Sequence, residues 1–172
     1  KDMRNLLTSP APAQDDDGKN TPLAGNPLAQ ANRQFGTMLS EIETAPQVVI
    51  AVLEGAVMGG GFGLACVADL VVALPSARFG LPEVTLGLTP AQIAPFVVAR
   101  LGAPRTRQLA LTGARFGAQE ALAYGLVHHC FDDEAALNEH LTQTLTTLSR
   151  CAPEARRATK QLILSTAHAD RD

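Results

Sequence analysis

The sequence predicts an α/β fold, and three observations in succession carry that prediction. Val48 to Val57 (VVIAVLEGAV) is a β-branched apolar run. Gly59, Gly60 and Gly61 follow it and open onto a small apolar helical run from Phe62 to Asp69, and DLVVAL from Asp69 to Leu74 is a second buried strand. Strand, glycine corner, helix and strand in that order imply a parallel crossover unit. Ligands sit at the carboxyl ends of such strands, where the corner lies.

Composition limits what such a fold can be used for. The chain has 172 residues, 46% of them hydrophobic but only 4% aromatic, with no Trp and one Tyr, which favours tightly packed layers of small residues. Its net charge is −3 with the basic residues dispersed, so the electrostatic footprint of a nucleic-acid binder is missing. No apolar run reaches the roughly 20 residues of a membrane span, and no signal peptide opens the sequence. Cys66, Cys130 and Cys151 match neither disulfide nor zinc spacing and read as reduced thiols of a cytoplasmic protein.

In chain order, residues 1–34 hold a helix remnant and a loop. Met3, Leu6 and Leu7 share one helical face, and from Thr8 to Asn32 four prolines and the run Asp15 to Asp17 describe a mobile linker, or alternatively a lid. The acidic run reads as solvated charge rather than a metal site. A core spans 35–131. Phe35, Met38, Leu39 and Ile42 are spaced as the apolar face of a helix that ends before Pro46, and in the helix after the corner Leu64, Ala65, Val67 and Ala68 are expected to pack inward. Residues 132–172 form a C-terminal region of two amphipathic helices, Asp133 to Arg150 and Pro153 to Ala167.

The corner itself is a candidate site. Glycines let backbone N–H groups approach a ligand at the positive end of a helix, an arrangement suited to a developing oxyanion, although three glycines also serve as a plain tight turn. It is not a nucleotide loop: Leu64 stands where a third spaced glycine would be, and no Lys-Ser or Lys-Thr follows. Downstream, the turn Phe79 to Glu83 presents a single carboxylate among Leu81, Pro82, Val84 and Leu86. Such neighbours desolvate it, which suits a general acid/base. His128 and His129 lie in a strand where alternation points one inward and one outward, with no third ligand nearby, so no metal is expected. Cys66 lacks a partner base and reads as core, Arg105 and Arg107 as solvated helix arginines within possible reach of phosphates, and Tyr124 as packing at a helix end.

From Ala45 to Thr166, VVIAVLEGAVMGGGFGLACVADLVVALPSARFGLPEVTLGL followed by VARLGAPRTRQLALTGARFGAQEALAYGLVHHCF resembles the crotonase superfamily of enoyl-CoA hydratases and isomerases. The resemblance implies a crotonase-like ββα spiral core, present here in part, with a C-terminal helical region that assembles trimers or hexamers through Leu162, Ile163 and Leu164. It implies an acyl-CoA thioester as substrate, with coenzyme A part of that substrate and no separate cofactor, metal, nucleic acid or membrane partner. Gly60 becomes a backbone donor to the thioester oxygen, Glu83 the acid/base, and Gly59, Gly60, Gly63, Leu88 and Pro90 the substrate-binding positions. The opening Lys1-Asp2-Met3 resembles the end of a family stretch that follows the other oxyanion donor, so that donor and much of the CoA surface are expected outside this sequence.

One family glutamate is absent: Gly63 stands in its place. Hydration divides readily between two carboxylates, whereas moving a double bond needs only one, so the chemistry favours an isomerase. Resemblance favours a hydratase, because the run Leu88 to Val97 (LTPAQIAPFV) is similar to members acting on branched glutaconyl-CoA esters, such as the isohexenylglutaconyl-CoA hydratase of bacterial acyclic-terpene breakdown. On that reading Gly63 leaves room for a branched acyl chain. An inactive scaffold with the same fold is the remaining alternative.

Overall fold

Val48 to Val57 is two strands, not one, in the computed structural model, which describes residues 27–168. β1 (Ile50–Leu53) and β2 (Ala56–Met58) are separated by Glu54 and Gly55. Gly55 has φ 59°, a conformation that strains any residue with a Cβ. The break sends the two strands into different sheets.

The chain then repeats the pattern. After β1 and β2 comes α2 (Gly60–Val67). β3 (Leu70–Ala73) and β4 (Arg78–Gly80) follow, and then a short 3-10 helix (Pro82–Leu86) and α3 (Ala94–Thr112). β3 pairs parallel with β1, Ile50 opposite Leu70, while β4 pairs parallel with β2, Val57 opposite Phe79. Each ββα turn therefore adds one strand to each of two sheets, which is the spiral the resemblance implies. β5 (Arg115–Gly117) closes the second sheet antiparallel to β4, and after α4 (Ala118–Ala123) β6 (His129–Cys130) joins the first, parallel to β3. The turn expected at Phe79 to Glu83 thus begins as strand, and turns only from Pro82.

α1 spans Pro27–Thr44, so residues 27–32, expected as loop, are helical; the expectations for Met3, Leu6 and Leu7, for the loop before residue 27 and for Asp15 to Asp17 lie outside the described residues. Leu39 is fully buried on the α1 core face, with Phe35 and Ile42 partly buried beside it and Met38 exposed. Within α2, Phe62, Gly63, Ala65, Cys66 and Val67 are buried, but Leu64 is 39% exposed, against expectation. At about 100° per residue Leu64 lies some 200° round the helix from Phe62, on its one uncovered side.

The few aromatic residues are gathered rather than dispersed. Phe79 stacks on Phe116 at 5.5 Å, and Phe62 and Tyr124 meet Phe116 edge-on. That cluster holds the second sheet against α2 and α4. β3 divides its side chains by strict alternation: Val71 and Ala73 face this core, while Val72 and Leu74 face a smaller one with Leu137 of α5 (Glu134–Ser149). α6 (Pro153–His168) is fastened by Lys160, whose Nζ donates to Asp69 Oδ2 at 2.8 Å and to the Gln47 carbonyl at 3.1 Å. No helix among the described residues is long and apolar enough to cross a membrane.

Candidate active site

β2 ends at Met58, and Gly59 caps α2 with φ 50° and ψ −114°. Its N–H donates to the Gly80 carbonyl at 3.2 Å and its carbonyl accepts from the Gly63 N–H at 3.0 Å. The first bond ties the corner to the end of β4, and β4 leads through Leu81 into the 3-10 helix that carries Glu83. The parallel pairing of β2 with β4 is therefore what sets the glutamate beside the glycines.

The approach is close. A Cβ on Gly59 would stand 3.1 Å from Glu83 Oε1, so the position requires glycine both for its φ and for the carboxylate next to it. Glu83 is half-buried, and its Oε2 is buried with no hydrogen-bond partner among the described residues. A buried carboxylate oxygen without a partner is costly to leave so, and it remains able to accept a proton from a ligand. The turn that holds it is fixed by Leu88 N–H donating to the Glu83 carbonyl at 2.9 Å and by Thr85 Oγ1 donating to the Pro82 carbonyl at 2.7 Å.

Gly60 is the first residue of α2 and is exposed. Its N–H belongs to the first turn, where no intrahelical carbonyl is available, so it is a candidate donor at the positive end of the helix. Phe35 of α1 lies over it, its Cζ 3.1 Å from the place a Gly60 Cβ would take. Sequence periodicity marks Phe35 only as a core-facing helix residue, and nothing local signals that it reaches the corner. At Gly61 an added Cβ meets nothing within 4 Å among the described residues, which makes it the open side of the corner there.

Gly63 is different from the expectation. It is buried, and a Cβ there would fall 2.6 Å from Ile93 Cγ2 and 3.3 Å from Leu39 Cδ1. The room a missing side chain leaves at Gly63 is filled by Ile93 and is not free for a branched acyl chain. Leu88 adjoins the site through its backbone, closing the Glu83 turn while its side chain is 41% exposed, whereas the Pro90 carbonyl accepts from Ile93 and Ala94 N–H at 3.1 and 2.8 Å to start α3. The structure thus brings together Gly59, Gly60 and Glu83, and sets Gly63 behind them in the core.

The other candidates lie apart. Cys66 is buried, which pushes its thiol up to about 12 against the pull of Arg100, so it is no nucleophile. His128 and His129 are both exposed rather than one in and one out, because β6 begins only at His129. The His128 Nδ1 accepts from the Val71 N–H at 2.9 Å, and His129 meets His140 with ring centroids 4.8 Å apart. Among the described residues no three His, Cys, Asp or Glu side chains gather as a metal site. The Arg105 guanidinium lies 4.0 Å over the Tyr124 ring and its Nη1 donates to Gln108, while Arg107 is exposed. A cavity of about 500 Å³ between the start of β1 and helices α5 and α6 contains none of the corner residues.

The family profile described as enoyl-CoA hydratase/isomerase matches residues 19–171. The chain is 36% identical over 135 residues to the enoyl-CoA hydratase ACTT6 of Alternaria alternata, covering 78% of this chain and 45% of that protein. The crystal structure of an enoyl-CoA hydratase/isomerase from Marinobacter aquaeolei superposes with a TM-score of 0.84 and 44% identity, over 99% of this chain and 62% of that one. AtuE of Pseudomonas aeruginosa superposes at 0.81 with 51% identity, over 91% and 61%. The chain spans about half the length of the curated relatives it matches.

Proposed function

The chain belongs to the enoyl-CoA hydratase/isomerase family, and from that premise we propose that the full protein adds water across the double bond of an α,β-unsaturated acyl-CoA thioester. Glu83 takes a proton from water as its oxygen bonds to Cβ. The electron pair of the double bond moves through Cα to the thioester oxygen, and the enolate so formed is held by the Gly60 N–H, a contribution of about 3 kcal/mol for one such donor. Glu83 then returns its proton to Cα, so that H and OH are both delivered and the carboxylate is regenerated.

The observation that carries this reading is the juxtaposition of Glu83 Oε1 with Gly59, which sets a carboxylate with an unpartnered Oε2 beside the residue that leads into the helix start at Gly60. Its substrate is a branched, glutaconyl-type ester. The run Leu88 to Val97 supports that class, and the open side at Gly61, not Gly63, offers the space. The reading includes a homotrimer or hexamer in a reducing, cytoplasmic setting, supported by the three free cysteines. A second reading is double-bond isomerisation, in which Glu83 removes a proton from one carbon and returns it to another. It is favoured by Glu83 being the one carboxylate at the corner among the described residues.

The test follows loss of the conjugated thioester absorbance on the full-length protein, with crotonyl-CoA and a branched glutaconyl-CoA side by side. Glu83→Gln is expected to lower kcat on the order of a thousandfold. Near-normal turnover by that variant would remove Glu83 from the mechanism, and faster isomerisation than hydration by the wild type would install the second reading.

A further inference from the structure

We propose that Ile93 is the residue that holds this active site to a single carboxylate, by occupying the space that a side chain at position 63 would need. The inference rests on the hydratase reading above and deepens it. Hydration asks two proton-transfer roles of the protein, and the family resemblance places a second carboxylate at position 63, where this chain has glycine. Position 63 is three residues on from Gly60 and so within about 60° of it around α2, one turn further into the core. The direction its Cβ would take is closed.

Two residues make the closure. Besides Cγ2 at 2.6 Å, Ile93 Cβ itself lies 3.1 Å from the ideal Gly63 Cβ, so turning the Ile93 side chain relieves only part of the conflict. Ile93 cannot retreat, because its N–H donates to the Pro90 carbonyl at 3.1 Å and its carbonyl accepts from the Val97 N–H at 3.0 Å. Leu39, fully buried on α1, brings its Cδ1 to 3.3 Å from the same point. Ile93 is itself only 4% exposed, so it is packed from behind. Gly63 and Ile93 are therefore one packing unit: glycine at 63 is the counterpart of a branched residue at 93, and only a joint exchange admits a larger group at 63.

Two arms on the full-length protein test this. In the first, read without substrate, Gly63→Ala is expected to lower the Tm by about 5 °C in the wild-type background and by much less in an Ile93→Gly background. Equal losses in both backgrounds, or none in either, would overturn the pairing. In the second, Gly63→Glu with Ile93→Gly is expected to hydrate crotonyl-CoA about tenfold faster than Gly63→Gln with Ile93→Gly, since only the glutamate supplies a second proton carrier. Matched rates in those two double variants would overturn the claim that Ile93 excludes a catalytic group. Because the Tm arm needs no turnover, a wild type inactive on every enoyl-CoA but coupled in Tm would retire the hydratase reading while supporting the Gly63 and Ile93 pairing.

Discussion

His128 is exposed along much of its ring, yet its Nδ1 is committed as an acceptor from the Val71 N–H at 2.9 Å. Protonating that nitrogen breaks the bond. Burial of the ring, followed by the charge of Arg100 and then that of His129, holds His128 below its ordinary value of 6.5. As pH falls past 6.5 the unfolded chain takes up the proton first, so the stability this group contributes is complete above pH 6.5 and is lost on further acidification through its folded value. The Tm is expected to drop about 2 °C more between pH 6.5 and pH 5 in the wild type than in His128→Gln, a modest difference because the ring is largely solvated. Identical acid slopes in calorimetry would show that His128 carries no such linkage. At this scale the sequence was legible where chemistry is local. Glu83 stands out because Leu81, Pro82 and Val84 flank it, whereas Phe35 over Gly60 and Ile93 against Gly63 are contacts between distant segments, for which no local pattern exists.

Among elements, the parallel crossover was legible because β-branched runs flank a glycine-led helix, and because connections between parallel strands have few alternatives. The division into β1 and β2 was not. Apolar residues continue on both sides of Glu54 and Gly55, and periodicity reports burial without reporting which sheet does the burying. The attachment of α6 belongs to the same class of long-range facts. Asp69 Oδ2 accepts both from the Val49 N–H at 2.8 Å and from Lys160 Nζ at 2.8 Å, so one oxygen joins the start of β1, the approach to β3 and α6. Asp69→Ala removes two bonds, leaving the Val49 N–H without its partner and the Lys160 ammonium with the Gln47 carbonyl alone, an expected loss of about 2 kcal/mol. Lys160→Met keeps the aliphatic stem and the Val49 bond, and is expected to lose about 1 kcal/mol or less. Chemical denaturation of the two variants decides the order. A Lys160 loss equal to that of Asp69 would mean that the ion pair, and not the strand N–H, is the principal interaction.

For the whole molecule, what matters is which apolar surface the fold leaves uncovered. Scattered exposed leucines are ordinary on any protein, but α6 presents two neighbours together, Leu162 at 66% and Ile163 at 61% exposure, while Leu164 turns partly inward. Of the three residues expected at a subunit contact, two are therefore exposed enough to make one and the third is half-buried. Keeping such a pair in water forgoes the burial of two large side chains, of the order of 1.5 to 3 kcal/mol for each. A second copy of the chain is the occupant the trimer or hexamer reading supplies. Light scattering on the full-length protein is expected to give a mass of three or six chains. Leu162→Asp combined with Ile163→Asp is expected to lower that mass toward one chain while leaving the circular dichroism spectrum unchanged, because neither side chain belongs to the buried core. A wild type that runs as a single chain, or a double variant that keeps its assembled mass, would take α6 out of the interface.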